Sequence, residues 1–252
     1  MLTGSLADLP VVFAFLLQPD SGASIHEPSA GELSRILLRW AHFVAGVLWI
    51  GLLYFFNLVN VPLMKKLDGP TKKIVIPELL PRALWYFRWG AVVTVLAGFS
   101  YYGSFIVGSN ARNVGENPGV WLGEWLLVVL VLYAILYFTI DKVNNGYVIA
   151  AVSAVLVIVL IAAILYLLPH ADNKTFSIGV GGGMGVWMML NVWGIIWRAQ
   201  KKIIAATIEG TAAPAELARK AFLASRTNAW LSLPMLFLMG TSHGDYIIVG
   251  TK

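Results

Sequence analysis

Long apolar segments recur along the chain at intervals that match the thickness of a membrane. Predominantly apolar runs occupy 36–61, 84–107, 120–140, 147–168 and 178–197. A further run, 229–250, is apolar as far as Met239 and is then interrupted by Thr241–Asp245. About 20 apolar residues in a helix cross ~30 Å of hydrocarbon, and backbone groups in lipid must pair within their own segment. The pattern therefore predicts an all-α, polytopic membrane helical bundle of about six transmembrane helices within residues 34–252.

The first 33 residues depart from this pattern. Leu9–Leu17 is apolar but too short to span a membrane, and no basic residue precedes it as in a secretory signal. Pro, Ser, Gly and acidic residues are frequent in Gln18–Gly31, which indicates a linker. We therefore expect an extracytoplasmic leader, 1–33, whose short apolar segment lies at the membrane interface or on a partner.

Composition agrees with a membrane protein and excludes several kinds of site. Hydrophobic residues make up 58% of the chain and charged residues 12%. Cysteine is absent, which excludes disulfides, thiolate metal sites and covalent haem attachment through a Cys-x-x-Cys-His motif. The chain has no Gly-rich phosphate loop, no Ser-His-Asp set and no paired carboxylates.

Lys and Arg are distributed unequally between the two sides that alternating spans define. The loops after the first, third and fifth spans hold thirteen of the 18 Lys and Arg residues, including those of an expected cytoplasmic helix, Pro214–Arg226, and the other side holds five. Basic residues beside spans are retained in the cytoplasm. We expect a multi-pass protein of the bacterial inner (plasma) membrane with both termini outside. The net charge of +5 then faces lipid headgroups and not nucleic acid.

All four histidines, His26, His42, His170 and His243, fall on or near the predicted outer side. At 1.5 Å per residue, His42 lies ~7 Å and His243 ~9 Å below the outer boundary. An ionisable group at that depth is costly unless it is paired or ligated. Two neutral imidazoles at one depth can bind a haem iron from opposite faces, so both residues are candidate metal ligands. The alternative is that His42 is hydrogen-bonded between two helices without a cofactor.

The first span carries small and flat residues beside His42. Gly46 lies one turn below the histidine, and Trp49 projects along nearly the same line. A flat macrocycle could rest there, so Gly46 and Trp49 join His42 and His243 as candidate cofactor-binding residues. Small residues equally allow two helices to pack closely, and that interpretation stays open.

The fifth span begins with a glycine-rich stretch, Gly179–Gly185. Glycine destabilises a helix interior unless another group must approach its backbone. The approaching group is either a neighbouring helix or the plane of a cofactor. Met184 and Met188 share a face at i and i+4, so a soft copper site is a further alternative, although Met more often fills gaps in a core.

Three blocks stand out along the chain: Arg39–Gly51 with its His-x6-Trp-x-Gly pattern, Asn191-Val192 followed by the basic Arg198–Lys202, and Arg226–Met239 with Ser242-His243. In this order they resemble the membrane domain of the bacterial membrane-bound urate hydroxylase family. The first block is also similar to small haem-binding membrane families of the protoporphyrinogen oxidase type. The last block is the most specific of the three.

The resemblance implies an all-helical membrane domain, electron transfer to a cytochrome c and oxidation of urate. It carries over His42 and His243 as candidate haem ligands. The chain departs from the family in having Gly179 where the histidine of span five is expected, in ending soon after His243, and in having no cytochrome c domain. Because the cytochrome c domain is missing, we do not expect the chain to oxidise urate by itself.

The sequence therefore predicts an integral membrane redox or electron-transfer subunit with one b-type haem near the outer face. Expected partners are other membrane subunits, a cytochrome c and lipids. The alternative is a non-catalytic accessory subunit of a larger respiratory or photosynthetic complex. Transport is disfavoured because the spans contain few membrane-embedded charges to form a coupling pathway.

Overall fold

The computed structural model describes residues 27–243 and Ile248 of the 252-residue chain. The chain divides into two units, Met1–Ser34 and Arg35–Lys252. In the first unit, Ser29 and Glu32 form a capping box: the backbone N–H of Ser29 donates to Glu32 Oε2 (2.9 Å) and that of Glu32 donates to Ser29 Oγ (3.3 Å). The predictions made for Leu9–Leu17 and His26 lie outside the described residues.

The described part of the chain is a bundle of helices without strands. Five helices are long and apolar enough to cross a membrane, and a sixth, α6, has 27 residues. The prediction of an all-α membrane bundle is confirmed. The helices are α1 (Ala30–Lys66), α2 (Gly69–Asn113), α3 (Pro118–Lys142), α4 (Gly146–Leu167), α5 (Asn173–Ile208) and α6 (Ala215–Thr241).

Polar side chains cap the first turns of four helices. Asp68, Asn117, Asn145 and Asp172 precede α2, α3, α4 and α5, and each side chain accepts a hydrogen bond from a backbone N–H of the helix that follows. Such caps satisfy donors that a helix start leaves unpaired. The sequence thus specifies where four of the helices begin.

Three helices contain a wider, π-helical turn. These turns are Phe55–Asn60 in α1, Tyr102–Val107 in α2 and Val192–Ile196 in α5. A π-helical turn shifts the side chains that follow it around the helix axis and is frequent near functional sites. Two of the three, in α1 and α5, contain or follow buried asparagines.

Helix α5 occupies the centre of the bundle and contacts α2, α3, α4 and α6. Its glycines admit these neighbours. A Cβ on Gly181 would lie 3.3 Å from the carbonyl oxygen of Met235, and a Cβ on Gly183 would lie 3.0 Å from Val129 and 3.1 Å from Leu160. At these two positions the glycine-rich stretch serves helix packing, which was one of the two interpretations of the sequence.

Helix α6 differs from its prediction. We expected a separate cytoplasmic helix, Pro214–Arg226, followed by a span from Ala229, but one continuous helix runs through both. The reason is that Thr227 and Asn228 are buried and Asn228 is hydrogen-bonded within the bundle, so the chain does not leave the helix between them. The helix ends at Thr241, where the sequence predicted an interruption.

Candidate functional site

His42 is half-buried on α1 and is anchored to α2. Its Nδ1 lies 2.8 Å from the carbonyl oxygen of Thr94. A carbonyl only accepts hydrogen bonds, so Nδ1 must carry the proton, and in the neutral imidazole Nε2 carries the free lone pair. This is the arrangement seen in metal-ligating histidines, where an anchored N–H fixes the ring and makes the other nitrogen more basic.

Gly98 makes room for the His42 ring. A Cβ at position 98 would lie 2.7 Å from Nδ1 and 2.8 Å from Cε1 of His42. Real carbon atoms do not approach a ring nitrogen that closely, so any other residue would displace the imidazole. Gly98 is separated from His42 by more than 50 positions, and nothing in the sequence pattern links the two residues.

His243 is exposed just beyond the end of α6. Its Nδ1 lies 3.0 Å from the carbonyl oxygen of Met239 and 2.9 Å from Ser242 Oγ. The Ser242 hydroxyl donates to the same carbonyl (2.7 Å), so its oxygen is an acceptor towards the ring. Nδ1 of His243 therefore also carries the proton, and Nε2 is again the free nitrogen.

The two histidines lie at the same end of the bundle, and the Phe43 ring is near both of them. The centroid of the Phe43 ring is 6.1 Å from that of His42 and 6.4 Å from that of His243. Phe43 itself is 56% exposed. Two anchored imidazoles, whose Nε2 atoms have no hydrogen-bond partner among the described residues, thus lie near one accessible aromatic ring.

Gly46 and Trp49 lie on the part of α1 that packs against α2. A Cβ on Gly46 would meet Thr94 Cγ2 at 3.6 Å, an ordinary contact. Trp49 is 1% exposed, and it packs against Gly90, whose Cβ would lie 3.4 Å from that of Trp49. The contacts described for both residues are with α2. A role for them beneath a macrocycle stays a prediction.

The donor set fits a haem better than a protein-ligated metal ion. Among residues 27–243 and Ile248, no three His, Cys, Asp or Glu side chains are grouped so that they could hold a metal ion. A porphyrin supplies four nitrogens of its own and needs two axial ligands, which two imidazoles provide. Met184 and Met188, the candidates for copper, are both fully buried in the hydrophobic core.

The position of Gly179 is filled by aromatic side chains of other helices. A Cβ there would lie 2.7 Å from the hydroxyl of Tyr102, which donates to the carbonyl of Thr175 (3.1 Å). The indole N–H of Trp125 donates to the carbonyl of Gly179 itself (2.8 Å). A histidine at 179 would require both rings to move, so the glycine is matched to its surroundings.

A second polar region, which the sequence analysis did not assign, crosses the bundle interior. We call its four buried asparagines the asparagine seam: Asn57, Asn60, Asn191 and Asn228. Asn191 Nδ2 donates to Asn228 Oδ1 (2.9 Å), and Asn57 Nδ2 donates to Ser225 Oγ (2.9 Å). Buried amides bonded across helices at membrane depth join α1, α5 and α6.

The asparagine seam is not fully hydrogen-bonded. Within the described part of the chain, the Oδ1 atoms of Asn57, Asn60 and Asn191 are buried and have no hydrogen-bond partner. Buried acceptors without a donor cost free energy and are uncommon. Their recurrence within apolar spans was visible in the sequence, but only the fold shows that α1, α5 and α6 bring them to one region.

Comparison with known proteins assigns most of the chain to a family. The sequence model of the family described as urate oxidase N-terminal matches residues 66–250. This range includes His243 and Gly179, whereas His42 precedes it. No curated protein and no solved structure matches the chain. Because the matched range covers well over half of the 252 residues, the chain belongs to the urate oxidase N-terminal family.

Proposed function

We propose that the chain is an integral membrane electron-transfer subunit that holds one b-type haem between His42 and His243. The observation that carries this proposal is the common state of the two rings: each Nδ1 is held by a backbone carbonyl, and each Nε2, at the same end of the bundle, has no partner among residues 27–243 and Ile248. Membership of the urate oxidase N-terminal family supports a role in urate oxidation. Bound haem would supply reversible one-electron chemistry at its iron.

The protein groups have distinct parts in this proposal. The carbonyl of Thr94 fixes the tautomer of His42 and orients its ring. Gly98 keeps the space that the ring needs. His243 is exposed, so a partner such as a cytochrome c or another membrane subunit would exchange electrons at this end.

A reduced-minus-oxidised absorption spectrum tests the proposal. Purified protein expressed with ample haem should show the band of a b-type haem. His42→Ala and His243→Ala should each abolish or shift this band. His170→Ala is the matched control, because His170 is exposed and its Nε2 lies 4.0 Å from the carboxylate of Glu116. Absence of a band in the native protein, or a band that survives both substitutions, contradicts the proposal.

The Lys/Arg asymmetry further leads us to propose that the histidine pair faces the outside of the cell. The native chain has no cysteine, so single cysteines can report topology. Val114, between α2 and α3, and Ala212, between α5 and α6, are both exposed and lie at opposite ends of the bundle. An impermeant maleimide should label Val114→Cys in intact cells and Ala212→Cys only after permeabilisation. The reverse pattern would place the pair on the cytoplasmic side.

A further inference from the structure

An open groove of about 980 Å³ runs between α4 and α6, at the end of the bundle where α4 begins. Its floor consists of small residues one turn apart on α4: Gly146, Ala150 and Ala154. Its wall consists of larger side chains of α6, including Phe222 and Trp230. Residues four positions apart share one face of a helix, so a small-residue face opposite a large-residue face leaves the space between the two helices open.

The interior of the groove is suited to hydrocarbon. Two hydroxyl groups that line it are already used, since Ser153 Oγ donates to the carbonyl of Ile149 (2.7 Å) and Thr227 Oγ donates to that of Leu223 (2.9 Å). Trp230 and Ile158, at its margin, are 63% and 65% exposed. An occupant would therefore meet apolar surface inside and would be open to the bilayer along one side.

Two arginines stand at the polar end of the groove. Arg219 Nε donates to Asn144 Oδ1 (2.9 Å), which fixes its side chain at the start of α4. The guanidinium carbons of Arg219 and Arg226 lie 5.9 Å and 5.5 Å from the centroid of the same Phe222 ring. The aromatic ring therefore brings two positive charges to the mouth of an apolar groove.

The positive charge of this mouth is only partly compensated by nearby acids, because Arg219, Lys220 and Arg226 carry three positive charges against two negative charges on Asp141 and Glu216. Lys220 binds both neighbouring carboxylates, with Nζ 3.0 Å from Asp141 and 3.0 Å from Glu216. None of the carboxylates in the described part of the chain forms an ion pair with Arg219 or Arg226. Two arginines with free N–H donors above an apolar groove complement an anionic headgroup attached to an acyl chain.

We propose that this groove is a binding site for an anionic phospholipid of the adjacent leaflet. The lipid phosphate accepts hydrogen bonds from Arg219 and Arg226, and one acyl chain lies along the small-residue floor of α4. The site is on the Lys/Arg-rich end of the bundle, opposite to His42 and His243, and it does not depend on whether haem is bound.

Spin-labelled lipids test the site in the whole protein. Native protein in phosphatidylcholine vesicles should immobilise spin-labelled phosphatidylglycerol about tenfold more strongly than spin-labelled phosphatidylcholine. Arg219→Gln with Arg226→Gln should remove most of this preference. Lys73→Gln with Arg82→Gln is the matched control, because it removes two exposed charges of the same end outside the groove and should keep the preference.

A second pair of variants tests the groove independently of charge. Ala154→Phe should fill the floor and release the immobilised phosphatidylglycerol, whereas Ala162→Phe, exposed on α4 but outside the groove, should not. Equal immobilisation of both lipids by native protein, retention of the preference in the double arginine variant, or an unaffected Ala154→Phe would each overturn the proposal. Displacement of the lipid by inorganic phosphate would also overturn it, since it would show a site for free anions.

Discussion

The central helix α5 and the peripheral helix α1 both carry glycines beside large side chains, but they lie in different surroundings. In the first 19 residues of α5, Gly179, Gly181 and Gly183 are buried against groups of neighbouring helices. In the first 25 residues of α1 only Ala45, Trp49 and Leu53 are buried. The glycine-rich helix is therefore the packing centre, and the candidate chemistry lies at the half-exposed rim of the bundle, on α1.

Glycine acts in two ways in this bundle. Gly179 and Gly183 admit side chains from other helices and so determine how closely the bundle packs. Gly98, on α2, admits the ring of a candidate ligand. A missing Cβ has the same steric effect in both cases, and only the identity of the approaching group separates packing from function. Substitutions at these glycines should therefore separate stability from cofactor binding.

The largest effect on stability is expected at the centre. Gly179→Ala places a methyl group 2.7 Å from the Tyr102 hydroxyl, which is buried and hydrogen-bonded, so we expect a loss of about 1–3 kcal/mol in the free energy of unfolding. Gly185→Ala is the control, because no atom lies within 4 Å of its Cβ, and it should be neutral or slightly stabilising. Unfolding in mild detergent, followed by circular dichroism, measures both. Equal stability of Gly179→Ala and Gly185→Ala would contradict the claim that the close approach of Tyr102 requires a glycine at position 179.

At the rim, Gly98→Ala should reduce bound haem several-fold with a smaller change in stability. The added methyl group displaces the His42 ring, while the gain of about 1 kcal/mol in helix propensity offsets part of the strain. Gly51→Ala on α1, which meets no atom within 4 Å, should retain haem. Haem per protein, measured as the pyridine haemochrome, reports the difference. Full haem content with an unshifted spectrum in Gly98→Ala would show that haem binding does not require a glycine at position 98.

The smallest effects concern the helix caps. Asp172 caps the central helix through the backbone N–H of the buried Thr175 (2.7 Å). Asp172→Ala should therefore lower the free energy of unfolding by about 1 kcal/mol, and by more than Asp68→Ala does.

Hydrogen bonds from Thr71 hold the pKa of Asp68 below its ordinary value. The stabilisation from Asp68 is therefore present above its unfolded pKa and is lost as pH falls through its lower folded pKa. Unfolding of native and Asp68→Asn protein at several acidic pH values should differ in that window, and parallel curves would contradict it.

Much of the fold could be predicted from the sequence. Apolar runs of membrane length gave the five spans because lipid requires helical backbone pairing over about 20 residues. The alternation of the spans also brought His42 and His243 to the same end. These properties depend on local pattern and on chain order alone.

The remaining features depend on contacts between distant residues. Gly98 is an ordinary helix residue until His42 is packed against it. The continuity of α6 through Thr227 and Asn228 arises because α5 supplies the partner for Asn228. Sequence pattern identifies which residues are polar, small or apolar, but it does not identify the group that each will contact.

The central claim is that two imidazoles, one from α1 and one from beyond α6, ligate the same iron. Near-infrared magnetic circular dichroism of the oxidised protein tests it most directly, because the charge-transfer band of low-spin ferric haem depends on the pair of axial ligands. We expect the band of bis-histidine ligation in native protein and its loss in both His42→Ala and His243→Ala. A band that corresponds to any other ligand pair in the native protein would contradict the account.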